Sequence, residues 1–172
     1  MKVLCCLDGT NSEEISNAVK NMLPASSLTI GLIYVTDSGP HAEIERSRER
    51  FMRAPQLDPR RRNQMRDAEA SAAQDILEEG KRYLSGAEIF QRTGRPEREI
   101  VNFAVEWNAG LIVICPRSPR GGGPNIGPKS VGHVARFVLD HAPCPVLLVR
   151  PLQRITVSPV PPAPPIPPVP PG

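Results

Sequence analysis

Aromatic residues make up only 4% of this 172-residue chain, so any core it builds must be aliphatic, drawn from Val, Ile, Leu and Ala. Long apolar runs are also missing, and nothing approaches the roughly 18 residues needed to span a bilayer. Charge of one sign is lacking: 21 Lys and Arg stand against 18 Asp and Glu, a net charge of +3. A nucleic-acid binder would show a larger excess, concentrated on one element. Cysteine is limited to Cys5, Cys6, Cys115 and Cys144, three of them in or beside apolar runs rather than in loops. A disulfide framework of the small secreted kind is therefore not expected. No Cys-x2-Cys pair exists for zinc, and the adjacent Cys5 and Cys6 must point to opposite faces of a strand. The thiols are expected to be reduced, buried and inert in a cytoplasmic protein. Cys115, at an exposed strand end beside Arg117, is the one thiol whose reactivity calls for a test. The segment Met1–Asp8 reaches an acid early and lacks a charged leader and a small-residue cleavage site, so it reads as a first strand.

What is present is an alternation of apolar runs and helical patterns, followed by one sharp break in composition. Ten of the twenty-two residues from Pro151 to Gly172 are proline, which excludes helix and sheet there. That tail is expected to be polyproline II or disordered, and residues 1–150 to form one domain. Strands are expected at Val3–Leu7, Leu28–Val35, Ala87–Arg92, Leu111–Cys115 and Pro145–Val149. After the first, Thr10 to Ser12 offer N-cap chemistry, and Ile15, Val19 and Met22 share one helix face. A charged helix is expected over 41–53, then an interruption at Pro55 and Pro59. A long helix follows from about Arg62 to Leu84, with Ala73, Ile76, Leu77, Gly80 and Leu84 inward. Gly94-Arg95-Pro96 opens a helix carrying Ile100, Ala104 and Trp107. Another runs over about Ser130–His141 with Val131, Val134 and Val138 inward. Strands without polar alternation are buried on both faces. Five of them alternating with helices give an α/β fold: a five-stranded, doubly wound, Rossmann-like parallel sheet. Ligands of such sheets bind at the carboxyl ends of strands where the strand order reverses. That rule selects Asp8-Gly9-Thr10, Tyr34-Val35-Thr36-Asp37 and the glycine-rich stretch from Cys115 to His133.

These places, in this order, resemble the universal stress protein family, with its adenine nucleotide alpha hydrolase-like fold. Leu4-Cys5-Cys6-Leu7-Asp8-Gly9-Thr10 is similar to the family's first strand and Asp-Gly-Ser turn. Ile33-Tyr34-Val35 resembles the end of its second strand, and Gly94-Arg95-Pro96 with Ile100 its Gly-x-Pro helix entry. Ala109 to Ile114 resembles its Ala-Asp-Leu-Ile-Val-x strand, with Gly110 where Asp is usual. Val138 to Val149 matches its closing helix and strand closely. The resemblance covers residues 1–150. It implies stress response or signalling, an adenine-nucleotide site for ATP or AMP with Mg accompanying it, and a homodimer paired through Val146, Leu147, Leu148 and Val149. It also implies that Asp8 contacts the adenosine side and that the Val35 backbone contacts adenine, with Val134 next to the phosphate loop.

ATP-binding members carry Gly-x2-Gly-x9-Gly-Ser/Thr after the fourth strand, where glycine N–H groups and a helix N-terminus close around phosphate. Counted back from His141, the last glycine falls on Gly132 and the hydroxyl position on His133. Counted from the strand end, the first two glycines fall on Cys115 and Ser118. The spacer to Gly132 is then thirteen residues rather than nine, and one of the four signature residues is in place. Sliding the frame leaves nine residues between Gly122 and Gly132, with Pro119 at the first position. Two readings stay open. Gly121-Gly122-Gly123 rebuild the cradle, with Arg117, Arg120 and Lys129 supplying charge and Ser130 the hydroxyl; or the site has decayed into a basic loop. In the second case the chain is a nucleotide-free interaction module, with the proline tail, including Pro159-x-x-Pro162, docking protein partners. Arg53, Arg60, Arg61, Arg62 and Arg66 form a basic cluster, interspersed with Asp58 and Asp67 and read as solvated. No Ser–His–Asp order or carboxylate pair stands out, so no turnover chemistry is assigned beyond weak ATP hydrolysis at most.

Overall fold

The computed structural model describes residues 1–24, 27–37, 59–116 and 131–150. The segments expected as a helix over 41–53 and as the proline tail lie outside the described residues, and so does the loop carrying Arg117, Ser118, Arg120, Gly122, Lys129 and Ser130. The elements in chain order are β1 (Lys2–Leu7), α1 (Ser12–Met22), β2 (Thr29–Asp37), α2 (Pro59–Tyr83), β3 (Glu88–Gly94), α3 (Pro96–Glu106), β4 (Leu111–Ile114), α4 (His133–His141) and β5 (Val146–Leu148). The five strands form one parallel sheet in the order β3-β2-β1-β4-β5. The fold class expected from the alternation is the one observed.

The apolar runs explain the layering. In β1, Val3, Leu4, Cys5, Cys6 and Leu7 are all buried, and alternate residues go to opposite faces. Leu4 and Cys6 join Ile33, Ile112, Ile100, Phe103 and Val138 in one core cluster under α3 and α4. Val3, Cys5 and Leu7 join Leu32, Val113, Ile15, Val19 and Leu77 in the other, under α1 and α2. The opposite facing of Cys5 and Cys6 follows directly. Each fully buried aliphatic side chain contributes about 1.5–3 kcal/mol by leaving water. Three of the seven aromatics gather at one edge. Phe90 and Phe103 lie 4.6 Å apart, with Trp107 5.7 Å from Phe90 and Lys2 Nζ 5.0 Å above its ring. Gly31 makes room for them: a Cβ there would come within 2.9 Å of Trp107 Cη2.

Several sequence expectations shift. Helix α2 begins at Pro59 rather than after it, because a proline at the first helical position gives up an N–H that would have no partner anyway. Its inward set holds: Ala73, Leu77 and Leu84 are buried and Ile76 packs against them. Met22, expected inward, is instead 64% exposed at the C-terminal residue of α1. Helix α4 starts at His133, three residues later than expected. Gly132, at φ 80°, sets its first turn in a conformation that favours glycine.

Candidate functional site

In this strand order the connection from β1 leads to β2 on one side, and the chain later returns to place β4 on the other. The reversal therefore lies between β1 and β4, and Leu7-Asp8, Val35-Thr36 and Ile114-Cys115 end at the same edge of the sheet. Asp8 follows β1 directly. Its carboxylate Oδ1 accepts from the Thr10 N–H at 2.9 Å and the Thr10 hydroxyl at 3.0 Å. Gly9 between them has φ 92°, which the turn requires.

Asn11 was expected only as a helix cap, and it does something else. No side-chain cap bond forms at the start of α1. The amide turns back to the strand instead: Oδ1 accepts the Asp8 N–H at 3.0 Å, and Nδ2 donates to the Cys6 carbonyl at 3.0 Å. Asn11 is only 4% exposed, so both backbone groups depend on it. Its amide also hydrogen-bonds the Cys115 thiol, linking the ends of β1 and β4. The Asp8-Gly9-Thr10 spacing signals the Asx turn made by the Asp8 carboxylate, whereas the backward bonds of Asn11 carry no local signal.

Cys115 corrects a second expectation. It is buried, at 8% exposure, not presented at an open strand end. Burial, followed by the negative charge of Asp8, pushes its thiol up to about 12, against the pull of the Asn11 amide. A thiol held protonated is a poor nucleophile. Cys5 is likewise raised to about 12 by burial, and Cys6 well above its ordinary value for the same reason. All four cysteines are free. Among the described residues no cluster of His, Cys, Asp and Glu could hold a metal ion, and no helix is long and apolar enough to cross a membrane.

Val35 is buried in β2 and in register with Arg92 of β3. Its neighbour Thr36 carries a buried hydroxyl that has no hydrogen-bond partner. Such a group costs about 1–3 kcal/mol unless something satisfies it. Gly94 at the end of β3 leaves room for Glu99, whose Cγ and Oε1 would lie 2.7 Å from a Cβ there. Across the mouth, α4 opens with Gly132 as N-cap, no side-chain cap and no acid in its first turn, so its leading N–H groups suit an anion. Val134 is half-buried against the core. His133 is exposed and faces Glu97 of α3, with Nε2 to Oε1 at 3.7 Å. The structure thus brings Asp8 and Cys115 together through Asn11, and pairs His133 with the Glu97 carboxylate of α3. Glu97 gave no signal, because it lies far from His133 along the chain.

The model of the Universal stress protein family matches residues 1–150. The chain belongs to the universal stress protein family. Among solved structures it is similar to the universal stress protein UspA from Lactobacillus plantarum, at 21% identity and a TM-score of 0.59, covering 87% of this chain and 97% of that one. The universal stress protein from Archaeoglobus fulgidus matches with 20% identity and a TM-score of 0.53, covering 87% and 98%. A family member from Arabidopsis thaliana, solved with AMP bound, matches with 16% identity and a TM-score of 0.54, covering 87% and 90%. At these identities the likeness establishes the fold. No curated protein matches the chain by sequence.

Proposed function

We propose that this universal stress protein family member binds an adenine nucleotide at the carboxyl edge of its sheet and acts in stress response or signalling. The observation that carries the reading is the reversal of strand order between β1 and β4, with an uncapped helix N-terminus at Gly132 on the same edge. The AMP bound by the Arabidopsis relative supports the ligand class. The orphaned Thr36 hydroxyl beside Val35 supports a polar ligand at the end of β2. In this reading Asp8 meets the ribose side, the Val35 backbone meets adenine, and Gly132, His133 and Val134 close the phosphate end. A di- or triphosphate would bring Mg with it. β5 is an edge strand with Val146, Leu147 and Leu148 half-buried, and pairing two such edges gives the homodimer.

A second reading has specific observations behind it. Asp8 Oδ1 already accepts two bonds from Thr10, and Cys115 occupies a position where glycine is usual. On these grounds the chain is a nucleotide-free dimeric interaction module that contacts proteins through its basic loop and proline-rich tail. Mass spectrometry of small molecules released from the purified protein, with calorimetric titration of ATP, ADP, AMP and cyclic AMP, separates the two. Co-purified nucleotide or measurable binding supports the first reading; absence of both sinks it. Deletion of residues 151–172 tests the tail, whose docking role fails if partner capture is unchanged.

A further inference from the structure

Strand β2 outruns β1 at the carboxyl edge. Its pairing with β1 stops at Leu7 and Tyr34, while its pairing with β3 continues through Val35–Arg92, Thr36–Thr93 and Asp37–Gly94. After Leu7 the chain turns at Asp8-Gly9-Thr10 and enters α1. The last three residues of β2 therefore have a strand on one side only, and their other side faces the space past the end of β1. Side chains along a strand alternate between faces. Leu32 and Tyr34 belong to the core under α1 and α2, Ile33 and Val35 to the core under α3 and α4, so Thr36 falls on the α1 and α2 side. Its hydroxyl oxygen is shielded from solvent and has no hydrogen-bond partner, although the residue as a whole is only half-buried. The part of Thr36 that solvent reaches is thus not its oxygen. Thr93, beside it on β3, is exposed and gives it no bond. Among the described residues no other buried side-chain oxygen or nitrogen is left in this state.

A buried hydroxyl without a partner destabilises the free protein, and valine has the same shape without that cost. A ligand that supplies the missing partner accounts for the threonine. One staggered step about χ1 carries the oxygen to another position on Cβ, with no backbone movement. On the nucleotide reading above, we propose that Thr36 reads the exocyclic amine of the adenine base: on binding, its hydroxyl turns and accepts a hydrogen bond from that amine. In that reading the ribose lies toward Asp8 at the end of β1, and the base reaches the end of β2. The amine sits on the ring remote from the ribose bond, so it is the polar group carried furthest toward β2. A hydroxyl oxygen has lone pairs free to accept from an amine N–H. A site so built disfavours the same purine without its amine, because the hydroxyl then stays unpaired in the complex.

The test is calorimetric titration of the full-length chain with AMP and with purine riboside monophosphate, the same nucleotide without the amine, for the wild type, Thr36→Val and Thr36→Ser. The wild-type preference for AMP over the amine-free nucleotide should shrink about fivefold in Thr36→Val, and the affinity for the amine-free nucleotide should not fall. Thr36→Ser keeps a hydroxyl and should keep the preference. Without ligand, Thr36→Val should raise the urea midpoint by about 0.5 M, because the unpaired oxygen is gone. A role in packing alone would leave the preference where it is. If the wild type shows no preference, or if Thr36→Val keeps it in full, the proposal is overturned and the nucleotide reading stands. A urea midpoint that does not rise in Thr36→Val overturns the proposal too, since the hydroxyl then has a partner in the free protein. If the wild type binds neither nucleotide, both are overturned.

Discussion

Replacing Asn11 tests whether the mouth of the sheet is held by one buried amide. Asn11→Ala removes the acceptor for the Asp8 N–H and the donor to the Cys6 carbonyl, each at 3.0 Å. With the side chain 4% exposed, water does not readily replace either partner. A buried polar group left unpaired costs about 1–3 kcal/mol; the Asp8 end is only partly buried and falls at the low end. The total is about 2–4 kcal/mol, near 5–15 °C in Tm for a domain of this size. A residue acting only as a helix cap would cost about 1 kcal/mol. Asn11→Asp sharpens the contrast, because Asp caps helices as well as Asn does. In the structure Asp cannot donate to the Cys6 carbonyl and sets a carboxylate beside Asp8 and under burial, so it should destabilise at least as much as Ala. Urea unfolding followed by the fluorescence of the single tryptophan, Trp107, reads both variants. An Asn11→Asp protein as stable as the wild type would refute the assigned role.

The remaining expectations follow from the same geometry. Burial holds Cys5 and Cys115 up to about 12 and Cys6 well above its ordinary value, whereas unfolded thiols titrate near 8.5–9. Folded values raised above unfolded ones give stability that is complete below about pH 8.5 and is lost as pH climbs toward 12, by up to about 1.4 kcal/mol per pH unit for each thiol. Denaturant midpoints measured from pH 8 to 11 check this, and a flat profile contradicts it. Alkylation at pH 8 should label half-buried Cys144, whose thiol burial raises less, before Cys115; peptide mapping that finds Cys115 first would show it open to solvent. Gly9→Ala should cost about 1 kcal/mol or more, since its φ of 92° strains any Cβ and that atom would sit 3.2 Å from Ile76 Cδ1; an unchanged urea midpoint would count against this turn. Sedimentation at micromolar concentration should give a dimer if the β5 edges pair, and a monomer would remove that part of the proposal.

Much of the fold was legible because its signals are local. Continuous apolar runs such as Val3–Leu7 and Leu111–Ile114 are what a doubly covered parallel strand requires, and the 3.6-residue spacing of Ala73, Leu77 and Leu84 marks the inner face of α2. The family could be recognised because its turn residues lie at fixed offsets from those runs. Helix ends were less legible: Pro59 breaks a helix from inside but starts one at its first position, and only the observed chain path decides between them.

The site divides in the same way. The sequence by itself determined where ligand chemistry could lie, because strand ends and a glycine before a helix are properties of the chain's own order. Only the tertiary structure decided what those residues do. It turned Asn11 from a cap into a tie between β1 and β4, and it put Cys115 out of solvent and kept its proton on. It also set Glu97 against His133 across two helices. Burial and charge proximity decide each of these, and both are set by residues distant in sequence, so no local pattern could have shown them.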